Sequence, residues 1–461
     1  MTAGAAPAKP DAVPPAGAAP RAPHWAWAVM LAAALHLMTT SGNWAITDHG
    51  EILYAARHFL HHGNLELPPV PHMRRIPLIP PGPDGTVHTR FLPIPTLTLV
   101  PLLWLDEALG WAAEPRFGRV VHLQGHLFVL AALGLLGAAV LRTGASAQAA
   151  AAAVLLAGSA WGVWLVSRRV GPEPVMIFLV ALFVLGEASM DAAVASWTVR
   201  ARAAVCALLP WTHVTGAPVA AALVASAAIR LARAAPAENA PRRADLRRLA
   251  LGAAVGTASM VVVWNGLYQG NWLTGGYGRF SPEAAFGARN PLVGAVEHLA
   301  MLALLCPVIL ALAAAGAAAA PSLRHLGRET ALSLVAVLVL IFCTFYVAEP
   351  ARRLAVVVVP LAAMAGARWD GLRLRSPLPQ ALLAASALGG IAWFFRVEGG
   401  WKPGPHGLNL PQYVLWSDLL AAGRPPWQYA VPLVLLAGAA ALAAARVWVL
   451  LRQTPAAAAR P

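Results

Sequence analysis

Charge is what this chain has least of. Only 12% of its 461 residues are Asp, Glu, Lys or Arg, about half the share of a soluble domain. With 59% hydrophobic residues and a mean hydropathy of +0.62, the chain has too little polar surface to fold as a water-soluble globule. Cysteine is rarer still. Cys206, Cys306 and Cys343 all fall within apolar runs and have no paired spacing, so they point to neither a disulfide framework nor a zinc site. An internal repeat is missing as well, which disfavours the inverted-repeat transporters. Acidic residues are few, 20 against 34 basic ones, for a formal charge of +14.

What the chain does contain is apolar runs of about 20 residues, long enough to cross a bilayer. Approximate spans read at 25–43, 92–110, 120–141, 147–166, 174–190, 211–232, 249–267, 295–317, 330–348, 353–367, 377–395 and 428–451. The run 203–232 is interrupted by Pro210, Gly216 and Pro218, so it reads as one broken helix or two. The expectation is an all-α, polytopic helical membrane protein of about 11–13 transmembrane helices, because helices satisfy their backbone groups internally in lipid.

The positive charge is concentrated in short connections: "RLARAAPAENAPRRADLRR" (230–248), "RHLGR" (324–328), "ARWDGLRLR" (367–375) and the C-terminal tail. That distribution fits cytoplasmic loops under the positive-inside rule better than a nucleic-acid face. Counting from these loops places the N-terminus inside and residues 44–91, 268–294 and 396–427 outside, with the cell membrane as location. Residues 1–23 form an Ala/Pro-rich tail without a short basic start leading into an apolar core. They read as a disordered segment ahead of an uncleaved anchor. The membrane domain then covers 24–452, followed by a short tail at 453–461.

Ionisable chemistry gathers after the first span, in "AITDHGEILYAARHFLHHG" (45–63). Asp48 with Glu51 three residues later fits a capping box, and Gly63 supplies a helix stop. Ile52, Ala55, Ala56, Phe59 and Leu60 make one face, and Glu51, Tyr54, His58, His61 and His62 the other. This predicts an amphipathic helix in the first outer loop, lying along the membrane surface. His58 with His61 or His62 has a spacing that lets two imidazoles share a metal, but an interfacial polar face with helix-end histidines favoured by the dipole is the preferred reading. The second outer loop, "LYQGNWLTGGYGRFSPEAAFGARNP", carries Trp272 and Tyr277. It suits either stacking on a ring-shaped ligand or a plain interfacial aromatic belt.

"SGNWAITDHGEILYAARHFLHHGNLEL" followed by "PDGTVHTRFLPIPTLTLVPLLWL" resembles the opening of the GT-C superfamily of integral-membrane glycosyltransferases. The likeness is to protein O-mannosyltransferases and lipid A aminoarabinose transferases. "WNGLYQGNWLTGGYGRF" and "AEPARRLAVVVVPLAAM" are similar to bacterial members, so the resemblance spans roughly residues 25–365. It implies inverting transfer of a sugar from a polyprenyl-phosphate donor to a glycan, lipid or protein acceptor on the outer membrane face. Membrane lipids and no nucleic acid complete the expected partners.

Within that resemblance Asp48 matches the family's catalytic acid, as general base, and Glu51 is the nearest second acid. Arg352 and Arg353 resemble the arginine near the donor phosphate, with Arg90 a lesser candidate. Glu173 matches an acid near the site, and Tyr277 and Trp272 would contact substrate. A divalent cation is an open possibility, with His58 and His61 as candidate ligands. The charge count puts Glu173 inside while the resemblance puts it outside, so the two readings conflict. Two rival functions stand beside the transferase. One is a transporter or flippase, for which "LLPWTHVTGAP" (208–218) is the only segment resembling a broken helix. The other is a non-catalytic GT-C-like membrane protein.

Overall fold

The structure is a computed structural model that describes residues 24–40, 47–67, 89, 91–110, 120–189, 196–233, 236, 239–270, 291–319, 327–344, 350–373, 378–397 and 425–452. Among these residues the elements are helices. We number them α1 (Ala26–Met38), α2 (Thr47–His62), α3 (Pro93–Leu97), α4 (Val100–Ala108), α5 (Gln124–Arg142), α6 (Ala147–Ser159), α7 (Trp161–Ser167), α8 (Pro172–Ala188) and α9 (Ser196–Leu208). They continue with α10 (Gly216–Ala232), α11 (Asn239–Ser259), α12 (Pro291–Leu305), α13 (Pro307–Ala319), α14 (Arg328–Thr344), α15 (Pro350–Arg373), α16 (Leu378–Val397) and α17 (Ala430–Arg452). α11 runs on as a π-helix over Met260–Tyr268.

The centre of the bundle is α15. Every residue from Leu354 to Val359 is buried, and a helix apolar on all sides belongs in the interior. It packs against α5, α6, α7, α8, α13 and α14. Small residues permit close approach: a Cβ on Gly366 would lie 2.6 Å from Ala153 Cβ. Gly252 and Gly256, one turn apart on α11, lie against the backbone of Ala203 and Ala207 on α9, the small-xxx-small contact of membrane helices.

Among the described residues the chain traverses this bundle twelve times, through α1, α5, α6–α7, α8, α9, α10, α11, α12–α13, α14, α15, α16 and α17. By length and composition three helices suffice to cross a membrane: Val121–Arg142, Ala240–Tyr268 and Pro426–Arg452. The pair Ala147–Ser159 and Trp161–Ser167, bent by 70°, makes a fourth if taken as one span. Of the remaining passages, α1 and α10 are shorter apolar helices, and α12–α13 is broken at Pro307. The chain is an all-α polytopic membrane protein.

Two sequence-based spans are corrected. Segment 92–110 does not cross. Gln124, at the start of α5, donates to Pro95 O at 3.0 Å and to Thr98 Oγ1 at 2.7 Å. At the segment's other end Asp106 accepts from the backbone N–H groups of Val120 and Val121. Both ends of α3–α4 therefore lie at the same end of the bundle, beside α2. The segment reads as a span because it is apolar on two faces. Leu99 and Leu103 are buried toward α2, while Leu97, Trp104, Leu105 and Leu109 are exposed. The interrupted run 203–232 conversely makes two passages, α9 and α10, joined by a 3-10 turn over Leu209–Trp211. One span lost and one gained leave the total unchanged but invert the segments between them. Glu173 thus lies at the α2 end, which removes the conflict over its side.

Single cysteines placed at Asn64, Leu109 and Ala240, in a background without the three native ones, test this topology with an impermeant thiol reagent. Positions 64 and 109 are expected to label together and 240 to behave oppositely. Labelling of 109 together with 240 would restore the crossing.

Candidate functional site

At the α2 end, α8 and α15 both begin. Glu173 stands in the first turn of α8, where a carboxylate is favoured by the helix dipole; Arg352 and Arg353 stand in the first turn of α15, where cations are disfavoured. The three side chains meet. Glu173 Oε1 is 3.1 Å from Arg352 Nε and 2.8 Å from Arg353 Nη1. Glu173 and Arg352 are buried. Two guanidiniums thus converge on one carboxylate.

His213, in the turn between α9 and α10, completes the cluster. Arg353 Nη1 lies 2.6 Å from its Nε2. On the other side of the ring, Nδ1 accepts from the Thr215 backbone N–H at 3.1 Å and lies 2.9 Å from Thr215 Oγ1. The break that resembles a transporter's thus sits at the α2 end beside Arg353, and its histidine serves as an arginine's partner. In the sequence, His213 stands out only as part of the broken-helix segment 208–218. Its signal was the polar run "THVTG" directly after the proline break.

The turn that delivers Glu173 is held from behind. Gln124 Oε1 accepts the Gly171 N–H at 3.0 Å while its Nε2 binds α3. Gly125 lets α5 approach so closely that a Cβ there would lie 2.4 Å from Arg169 O. Trp164 Nε1 donates to Thr39 Oγ1 at 2.7 Å, and Arg168 Nε donates to Thr39 O, tying the end of α1 to the same turn.

Helix α2 forms as expected and stops at Gly63, whose φ of +74° suits a glycine. Its details differ from the capping-box reading. Asp48 is the helix's second residue, with its side chain outside the described set. Glu51 turns inward, is buried, and accepts from Thr89 Oγ1 at 3.0 Å. The Thr89 carbonyl in turn accepts from Gln269 Nε2 at 2.7 Å, at the end of the π-helix. Glu51 therefore belongs to the buried face, since Ile52, Leu53 and Ala56 pack on Phe91, Leu99 and Leu103 and draw that side of the helix into protein.

Of the two histidine pairings the spacing offers, His58 lies beside His62, with tilted rings and centroids 4.4 Å apart, while His61 Nε2 lies 3.0 Å from Glu107. His58 and His61 thus face different partners, and among the described residues no group of three or more His, Cys, Asp or Glu could hold a metal. Burial first, then neighbouring His62, hold His58 below the ordinary histidine range. Arg90, Trp272 and Tyr277 lie outside the described residues.

Glu173→Gln removes one side of a buried charge cluster, which typically costs about 3–5 kcal/mol. A clear fall in the thermal unfolding midpoint in detergent is expected. An unchanged midpoint would mean that Glu173 does not hold the first turn of α15.

No family model and no curated protein matches the chain. Among solved structures, the crystal structure of ArnT from Cupriavidus metallidurans bound to undecaprenyl phosphate aligns over 93% of this chain and 72% of that chain, with a TM-score of 0.58 and 14% sequence identity. The chain is similar to it in fold.

Proposed function

We propose that the protein is a GT-C-type membrane glycosyltransferase that moves a sugar from a polyprenyl-phosphate donor to an acceptor, with inversion, on the extracytoplasmic face of the cell membrane. The reading rests chiefly on the Glu173–Arg352–Arg353 cluster at the α2 end. Two guanidiniums meet there at two helix N-termini, and guanidiniums and helix N-termini alike favour an anion. A lipid-borne phosphate arrives at the membrane interface, and the guanidiniums offer forked donors that match its oxygens. The similarity in fold to a protein crystallised with undecaprenyl phosphate supports the same donor class.

Asp48, on the first turn of α2, is the proposed general base. An acceptor hydroxyl is a poor nucleophile and needs a carboxylate to take its proton as the glycosidic bond forms. Glu51 is reassigned from a second acid to a positioning residue, because its carboxylate is committed to Thr89 and so to Gln269. Arg90, Trp272 and Tyr277 remain proposed contacts to donor and substrate. A divalent cation would act as a Lewis acid on the leaving phosphate. The transporter reading is less favoured because the cleft-forming break at 209–215 lies at one end of the bundle rather than at its middle.

Asp48→Asn is expected to lower sugar transfer by about 10²–10⁴ while expression and donor binding persist; near-normal turnover by a folded variant would remove Asp48 from the chemistry. Changing Arg352 and Arg353 together to Lys keeps the charge and loses the fork. The apparent donor requirement in purified protein should rise with the fold intact. No change in donor dependence would leave both arginines as structural partners of Glu173. For the reaction class itself, envelope glycans and polyprenyl-phosphate sugars of a deletion strain are read by mass spectrometry. Accumulated lipid-linked sugar supports the transferase, whereas an unchanged profile with altered uptake supports a transporter.

A further inference from the structure

The exposed face of α11 and its π-helical extension changes character within one turn. Arg243, Ala244, Arg247 and Arg248 are exposed on its first half. From Leu251 onward the same face is apolar, with Leu251, Val255, Val262, Val263 and Leu267 all exposed. Leu251 to Leu267 spans sixteen residues, about 24 Å at the helical rise, close to the roughly 30 Å hydrocarbon thickness of a bilayer. The opposite face is closed by α9. A second observation marks the same level. The ion pairs Arg202–Asp245, Arg230–Glu187 and Arg233–Glu329 gather at this end of the bundle, and Asp245 belongs to the very turn that carries Arg243 and Arg247. These acids are matched by Arg202, Arg230 and Arg233, while Arg243 and Arg247 line an open cavity of about 480 Å³ together with Pro236, Ala240 and Ala244.

We propose that this arginine step binds the phosphate of an anionic phospholipid, in the leaflet opposite the α2 end, with an acyl chain lying along Leu251 and Val255. The groove commits to a lipid because its cationic floor opens directly onto a membrane-length apolar stripe. A free phosphate would use the arginines and leave the stripe unexplained. Arginines one turn apart, beneath exposed leucine and valine, match a headgroup-over-chain arrangement. The inference is independent of the sugar-transfer reading and concerns the other end of the molecule.

The test uses the full chain reconstituted in equal phosphatidylglycerol and phosphatidylcholine, extracted in mild detergent, with retained lipid counted by native mass spectrometry. Wild-type protein is expected to retain phosphatidylglycerol preferentially. R243Q/R247Q should lose about tenfold of that preference, since each surface arginine contributes appreciably to anionic-lipid attraction. R243K/R247K should keep most of it, and the single variants R243Q and R247Q should fall between. A monodisperse double-Gln variant with wild-type preference would overturn the proposal. So would millimolar glycerol 3-phosphate displacing the lipid completely, because the site would then recognise a phosphate without its chain.

Discussion

The rest of the structure depends on one carboxylate, Glu173, lying between two arginines at the head of a buried helix. α15 is enclosed over Leu354–Val359 and cannot turn its first residues toward water without unpacking the centre of the bundle. Two cations at a helix N-terminus oppose the helix dipole, so their position requires an acid close by. Glu173 supplies it from the first turn of α8, where the dipole favours an acid. The ion pairs thereby fix the relative height of two central helices. They also place two guanidiniums where α2 meets the bundle.

The layer around that charge is built from parts that do not cross. α2, α3 and α4 lie together at one end, held by Gln124 to Pro95 and Thr98 and by Asp106 to the backbone of residues 120–121. Gln124 serves both sides of the arrangement, because its other amide atom accepts from Gly171 in the turn before Glu173. A similar chain runs from Glu51 through Thr89 to Gln269, joining α2 to the end of the π-helix. π-Helical turns often accompany functional sites, and this one carries Trp264 stacked on Tyr268, 4.5 Å between ring centroids.

Charge within the bundle is sorted to its two ends. Glu173, Arg352, Arg353 and His213 occupy one; Glu187, Arg202, Arg230, Arg233, Asp245 and Glu329 occupy the other, each acid set against an arginine. Between them the helices meet through alanine, glycine and valine. This distribution follows from the cost of an unpaired ion in hydrocarbon. The residues have the same chemistry at both ends, and arrangement distinguishes them. The far end shows separate acid–arginine pairs, whereas at the α2 end two arginines share Glu173.

The sequence by itself determined the class of this protein, because long apolar runs with few charges can only satisfy their backbones as helices in lipid. It also determined α2 with its stop at Gly63, and the nearness of Arg352 and Arg353 to the start of a helix, because dipole, glycine and periodicity act locally. Only the tertiary structure decided which apolar runs cross. Composition cannot distinguish a helix with lipid on one face and protein on the other, such as α4, from a span, and a proline break, as at Pro210, can bend a helix or divide it. Glu51 illustrates the same limit. Its spacing from Asp48 reads as a cap, but the packing of Ile52 and Leu53 turns it inward to Thr89. The meeting of Glu173, His213, Arg352 and Arg353 brings together residues up to 180 positions apart in sequence, and no local pattern records it, since it depends on the packing of α8, the α9–α10 turn and α15 at one level.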